Sequence, residues 1–187
     1  MNRDRKGAGM ASRRYRGWHL AQNELEYRVT AFEWSLAQLN EAFARFVTEL
    51  GGVTTASELK YAEHMILHAI RMQDRAKGGP TIARLLNRDD LQNVQYSLRK
   101  LESLDLIRKV RGPGGAQAAY EITDKGRERT DHYRDVRAEL LMQRVVQIQN
   151  GPEQLEAATR MMSMLTGVYE EAARECATIT PGGPAGV

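Results

Sequence analysis

Between Leu25 and Leu50 the large apolar side chains fall at Leu25, Val29, Phe32, Leu36, Leu39, Phe43, Phe46 and Leu50. The spacing alternates four and three, which places them on one stripe of an α-helix. The stripe lasts more than three heptads, so the helix needs partner helices to cover it. Gly51-Gly52 is the expected end of this helix. Thr55-Ala56-Ser57-Glu58 has the form of a capping box for the next helix. Leu59, Ile66, Leu67 and Ile70 then recur at helical spacing to about Met72, with Glu63 a polar intruder, and Gln73–Gly79 is polar and turn-prone.

Pro80 suits the first turn of a short helix whose inner face is Ile82, Leu85 and Leu86. Asn87 closes it, and a longer helix is expected from about Arg88 to Leu104, with Leu91, Val94, Leu98 and Leu101 inward. Leu106–Val110 and Ala118–Thr123 read as two short strands about the turn cluster Gly112-Pro113-Gly114-Gly115. Helix, turn, longer helix and strand pair, in that order, are a winged helix-turn-helix. Beyond it, a polar helix is expected from Thr123 to about Gln149, stopped by Asn150-Gly151-Pro152. A last helix carries Leu155, Ala158, Met162, Leu165, Tyr169 and Ala172 at alternating spacings of three and four, its face widened by Met161, Met164 and Val168.

The predicted fold class is therefore mainly α with a small β-hairpin wing, a winged helix-turn-helix flanked by long dimerisation helices. The predicted organisation is a flexible basic arm (1–19), an N-terminal dimerisation helix (20–52), the winged DNA-binding domain (55–123), C-terminal dimerisation helices (124–177) and a disordered tail (178–187). The outer stripes exceed what one small head can cover, and packing across a two-fold axis is the economical solution.

Charge sharpens this picture. The chain of 187 residues has a net charge of only +3. Arg3, Arg5, Lys6, Arg13, Arg14 and Arg16 against Asp4 give the first sixteen residues +5, leaving −2 for the rest. Arg99, Lys100, Arg108, Lys109 and Arg111 against Glu102 and Asp105 give the head a second basic cluster of +3. Positive charge gathered in a tail and in a winged head suits a polyanion. No apolar run is long enough for a membrane span, and no secretory signal opens the chain. The lone Cys176 suits a reducing cytoplasm. The expected location is accordingly cytoplasmic and nucleoid-associated.

Two runs carry a family likeness. Leu98-Arg-Lys-Leu101-Glu-Ser-Leu104-Asp-Leu106-Ile107-Arg108 is similar to the L-x-x-L-x-x-x-G-L-I-x-R of the MarR family of bacterial transcription regulators, and Ile122-Thr123-Asp124-Lys125-Gly126 is similar to its L-T-x-x-G. The resemblance spans roughly Leu25 to Ala172. Asp105 replaces the family's glycine at a position suited to positive φ, which Asp tolerates better than most residues. The wing lacks the family's D-x-R, with Arg111 nearest its place. The resemblance implies a homodimeric regulator, a repressor, on a near-palindromic operator in double-stranded DNA, relieved by a small aromatic effector. It also implies that Trp34, His64, His68 and Arg71 line an effector pocket. The alternative, which Asp105 and the altered wing allow, is a winged module that binds protein.

With Leu91, Val94, Leu98 and Leu101 inward, 100° per residue turns Gln92, Tyr96 and Arg99 outward, flanked by Asn93, Gln95 and Lys100. Gln and Asn pair bidentately with adenine and Arg with guanine, so these six are the candidate readers. Arg108, Lys109 and Arg111 are candidate wing contacts, or charged decoration of an edge hairpin. Asp89 and Asp90 fit helix capping. The basic arm fits either a minor groove or a solubilising role. His64 and His68 share a face at i, i+4, but no further ligand completes a metal site. No second Cys or neighbouring His activates Cys176. The sequence has no phosphate loop, nucleophile elbow, paired catalytic carboxylates or zinc signature. The chain is read as a non-enzyme without cofactor or metal.

Overall fold

The computed structural model describes residues 15–55, 59–112 and 118–179. The chain forms two units, the first to Arg134 and the second from Asp135. The first holds α1 (Glu24–Thr55), α2 (Tyr61–Arg71), β1 (Lys77–Gly78), α3 (Gly79–Leu85), α4 (Leu91–Ser103), β2 (Ile107–Arg111), β3 (Ala118–Ile122) and most of α5 (Asp124–Arg137). The second continues through a π-helical turn (Ala138–Met142) and the short α6 (Gln143–Val145) to α7 (Gly151–Cys176).

The first helix does not stop at its glycines. It runs to Thr55, whose hydroxyl donates to the Gly51 carbonyl at 2.7 Å. Gly51 serves close approach instead of termination: a Cβ there would lie 2.0 Å from the His64 ring. Thr55 thus ends α1, and α2 begins only at Tyr61 with Lys60 as its N-cap; 56–58 of the expected box lie outside the described residues. The start of α2 is fixed by Glu63, whose Oε2 accepts the Lys60 N–H at 2.7 Å. Along α1 burial gathers at the C-terminal end, at Val47, Leu50, Gly51, Thr54 and Thr55, with Thr30 buried nearer its start, whereas Leu25, Val29, Leu36, Leu39 and Phe43 are exposed. Residues 15–19, expected in a flexible arm, lie on α1: the Tyr15 hydroxyl donates to Glu24 Oε2 at 3.0 Å, and Trp18 meets Trp34 edge-on at 6.2 Å. The rest of the arm, 1–14, and the tail from 180 are outside the described residues.

Ile66, Leu67 and Ile70 of α2, Ile82 of α3, Val94, Leu98 and Leu101 of α4, Leu106, and Ile107, Tyr120 and Ile122 of the sheet form one apolar core. The wing hairpin is expected as two strands, but β1 adds a third. The order is β1-β3-β2, all antiparallel, with Lys77 opposite Tyr120 and Lys109 opposite Tyr120 on the other side. Lys77 makes this short strand possible. It is 3% exposed, and its ammonium donates to the carbonyls of Ile70 at 3.0 Å, Arg75 at 3.1 Å and Met72. A buried cation thus closes the C-terminus of α2, where a positive charge also meets the helix dipole. Burial, followed by the neighbouring Arg75 charge, holds its pKa below that of an ordinary lysine.

The long polar helix expected to Gln149 is interrupted. α5 gives way to the π-helical turn at Ala138, and Asn150 takes a left-handed conformation (φ 53°) before Gly151. On α7, Leu155, Met161, Met162, Met164, Val168 and Tyr169 are all exposed.

Candidate nucleic-acid interface

The helix α4 starts three residues later than its pattern predicts. Arg88–Asp90 lie outside it: Arg88 Nε donates to Asp90 Oδ1 at 2.7 Å, and Asn93 Nδ2 donates to Asp90 Oδ2 at 3.0 Å. These bonds from Arg88 and Asn93 hold the Asp90 carboxyl well below the usual carboxylate range. Asp90 is the residue before the first helical turn. The inward face also differs by one turn. Val94, Ser97, Leu98 and Leu101 are buried, while Leu91 is 47% exposed. The true face thus begins at Val94, and Leu91 stands on the outer surface.

That leaves Gln92, Tyr96 (58% exposed) and Arg99 outward, with no hydrogen bond or ion pair holding any of them in the described structure. Asn93 is also exposed, its amide turned to Asp90. Two of the three flanking candidates, Gln95 and Lys100, also touch neighbouring elements. Gln95 lies over Gly79 of α3 so closely that a Cβ there would meet its Nε2 at 2.6 Å. Lys100 Nζ donates to Glu63 Oε2 at 2.8 Å, and Glu63 is 3% exposed. Lys100 is therefore the counter-charge of a buried carboxylate on α2, which fixes α4 against its neighbour.

The C-terminus of α4 is a Schellman turn. The Asp105 N–H donates to the Glu102 carbonyl at 2.9 Å and the Leu106 N–H to Leu101 at 3.0 Å, with Asp105 left-handed at φ 58°. The substitution of the usual glycine thus keeps the geometry glycine would give. Three consecutive carbonyls at this exit are taken by residues at the start of α5: Leu104 by Lys125 Nζ (2.8 Å), Asp105 by the Thr123 hydroxyl (2.7 Å) and Leu106 by the Thr123 N–H (3.1 Å). Thr123 Oγ1 also accepts the Gly126 N–H at 3.0 Å, capping α5. A Cβ on Gly126 would lie 2.1 Å from the Leu106 carbonyl oxygen.

In the wing, Arg108 is paired across the strands with Glu121 at 2.6 Å, whereas Lys109 and Arg111 are exposed with no such partner among the described residues. Sequence reasoning missed a neighbouring feature. A cleft of about 630 Å³ is lined by Arg75, Ala76, Lys77, Gly78, Thr81, Arg84, Arg111 and Gly112. Its only signal in the sequence is basic residues bracketing Gly78-Gly79-Pro80-Thr81.

The four residues expected around an effector pocket face different neighbours. His64 is 0% exposed, on Gly51. The His68 ring lies 4.4 Å from that of Tyr133 of α5, tilted 59° to it. Arg71 pairs with Asp74 and, at 3.5 Å, with Asp131. Trp34 is exposed on α1 beside Trp18. Among the described residues no group of three or more His, Cys, Asp or Glu is placed to hold a metal ion, and no helix is long and apolar enough to cross a membrane.

Residues 59–126 match the winged helix DNA-binding domain family. They form that domain here, from the end of the α1–α2 connection to the first turn of α5. Over about four fifths of its length the chain is similar in fold to solved transcription regulators of the MarR type. Solved structures similar to it include the transcriptional regulator BldR from Sulfolobus solfataricus (19% identity, TM-score 0.63, 76% of this chain and 99% of that one). A MarR family regulator from Neisseria meningitidis is 12% identical at TM-score 0.63, over 79% of this chain and 97% of that one. The MepR–DNA complex of Staphylococcus aureus is 18% identical at TM-score 0.58, over 72% and 96%. At these identities the likeness is one of fold. No curated protein matches the chain.

Proposed function

We propose that the chain is a transcription regulator of the MarR type that binds operator DNA as a homodimer. The observation that carries this reading is α4. Its inner face is locked into the core by Val94, Leu98 and Leu101 and pinned through Lys100 to the buried Glu63. Its outer face presents Gln92, Tyr96 and Arg99 without internal partners. A rigid helix with an unsatisfied polar face, beside a basic wing, fits a major groove. The similar MepR structure was solved with DNA, which supports the same use of the fold.

The homodimer is supported by the exposed stripes of α1 and α7, too extensive for the surface of a lone chain. Two heads on a two-fold axis would read half-sites about one turn apart, ~34 Å. Repression, relieved by an aromatic effector that alters the spacing of the heads, completes the proposal. His64 is too deeply buried to touch such an effector.

Selection from a random duplex pool tests the reading: the protein is expected to enrich a near-palindrome, to shift it in a gel at low salt, and to sediment at twice the chain mass. Benzoate serves as the effector probe and is expected to weaken the shift. Folded protein that enriches no sequence refutes DNA reading, and a protein that retains no duplex at all points to the protein-binding alternative.

A further inference from the structure

The cleft behind the wing concentrates charge that the fold leaves uncompensated. Arg75 precedes β1, Arg84 lies on α3 and Arg111 ends β2, so three separate elements each bring one guanidinium to one concavity. All three are exposed, none has an ion-pair partner in the described structure, and no carboxylate lines the cleft. The remaining cation is not available to a ligand, because the Lys77 ammonium is turned into the C-terminus of α2. That attachment instead makes the floor rigid. Thr81 adds a hydroxyl one helical turn before Arg84. Like charges gathered this way repel one another, and an anion is what relieves them.

We infer that this cleft, lined by Arg75, Thr81, Arg84 and Arg111, is a binding site for the sugar–phosphate backbone of DNA beside the bases read by α4. The inference rests on the DNA-binding reading above. Three observations favour the backbone over a small free anion. The cleft is partly open to solvent, and at about 630 Å³ it is far larger than one inorganic phosphate. It also borders the reading head, since α3, which lends it Thr81 and Arg84, packs on α4 where Gly79 meets Gln95. Guanidinium groups grip phosphate oxygens in bidentate pairs that position a duplex without reading its sequence.

The test uses the full chain with Arg75→Gln, Arg84→Gln and the double variant, each checked by circular dichroism and thermal unfolding. Fluorescence anisotropy measures affinity for the selected duplex and for a scrambled duplex across a salt series. Each single substitution is expected to weaken both duplexes by about tenfold, leaving the specificity ratio unchanged. The slope of log affinity against log salt should fall by about 0.9 per lost phosphate contact. Gln92→Ala provides the contrast, because it should lower the ratio between the two duplexes. If the wild type binds the selected duplex and the variants keep both its affinity and its slope, the backbone site is overturned. Inorganic phosphate and pyrophosphate are titrated in parallel. Protection of the wild type alone, with DNA binding untouched, also overturns it and assigns a small-anion site. Failure of the wild type to bind any duplex refutes the functional reading itself, and this inference with it.

Discussion

Acidification should weaken this protein in part through one residue. His64 is fully buried against Gly51, and among the described residues neither ring nitrogen has a hydrogen-bond partner of good geometry, the Leu59 backbone being the nearest approach to one. Burial, its largest influence, holds its pKa below the ordinary histidine value of 6.5; Lys100 acts in the same direction, while the Glu63 carboxylate and the Leu59 backbone oppose it. The unfolded chain therefore takes up a proton near pH 6.5 that the folded chain still refuses. Stability is at its full value above pH 6.5 and is lost as pH falls from there towards the folded pKa. The slope is at most about 1.4 kcal/mol per pH unit for one proton. The neutral ring also costs stability, since each unsatisfied buried polar group costs about 1–3 kcal/mol. His64→Leu removes both effects, at a repacking cost of under about 1.5 kcal/mol. Urea unfolding at fixed protein concentration between pH 8 and pH 5 should show the variant no less stable than wild type at pH 8. The gap should then widen in its favour below pH 6.5 and level off once the folded pKa is passed. Parallel profiles for the two proteins would refute the reasoning, because the other titrating groups are common to both.

Three further substitutions separate fold from function. Asp105→Gly should raise stability by about 1 kcal/mol, because glycine occupies the left-handed C′ position without cost; a lower melting temperature would contradict that assignment. Gly126→Ala should cost about 1–3 kcal/mol, since its methyl would sit against the Leu106 carbonyl, and unchanged denaturant midpoints would show that the α4–α5 junction yields. Lys100→Ala should cost about 2 kcal/mol by stranding the buried Glu63 carboxylate. It should leave the salt slope of DNA binding unaltered, whereas a slope lower by about one would place Lys100 on a phosphate.

The winged head was legible because its signals are local. Val94, Leu98 and Leu101 follow helical spacing, and Ile107 and Ile122 end up opposite each other in the sheet. Leu91 was misassigned because periodicity cannot tell the first turn of a helix from the loop before it, and the Arg88–Asp90 contact delays the start of α4. Gly51 read as a stop because the His64 ring that fills its missing side chain comes from another helix. β1 was invisible because two residues, Lys77 and Gly78, carry no alternation. A lysine there does not announce that it caps α2. The outward positions Gln92, Tyr96 and Arg99 follow from helix geometry alone. That Gln95 and Lys100 are occupied internally depends on Gly79 and Glu63, and no spacing within α4 encodes either.

The three consecutive carbonyls of Leu104, Asp105 and Leu106, each held by Thr123 or Lys125, have a mechanical consequence. They act as a weld and not a hinge. α5 cannot slide or turn against the end of α4 without breaking several bonds together, and Gly126 leaves no slack beneath them. A torque on α5 is therefore delivered to the reading helix as rotation of one solid piece, undamped by any flexible joint between them.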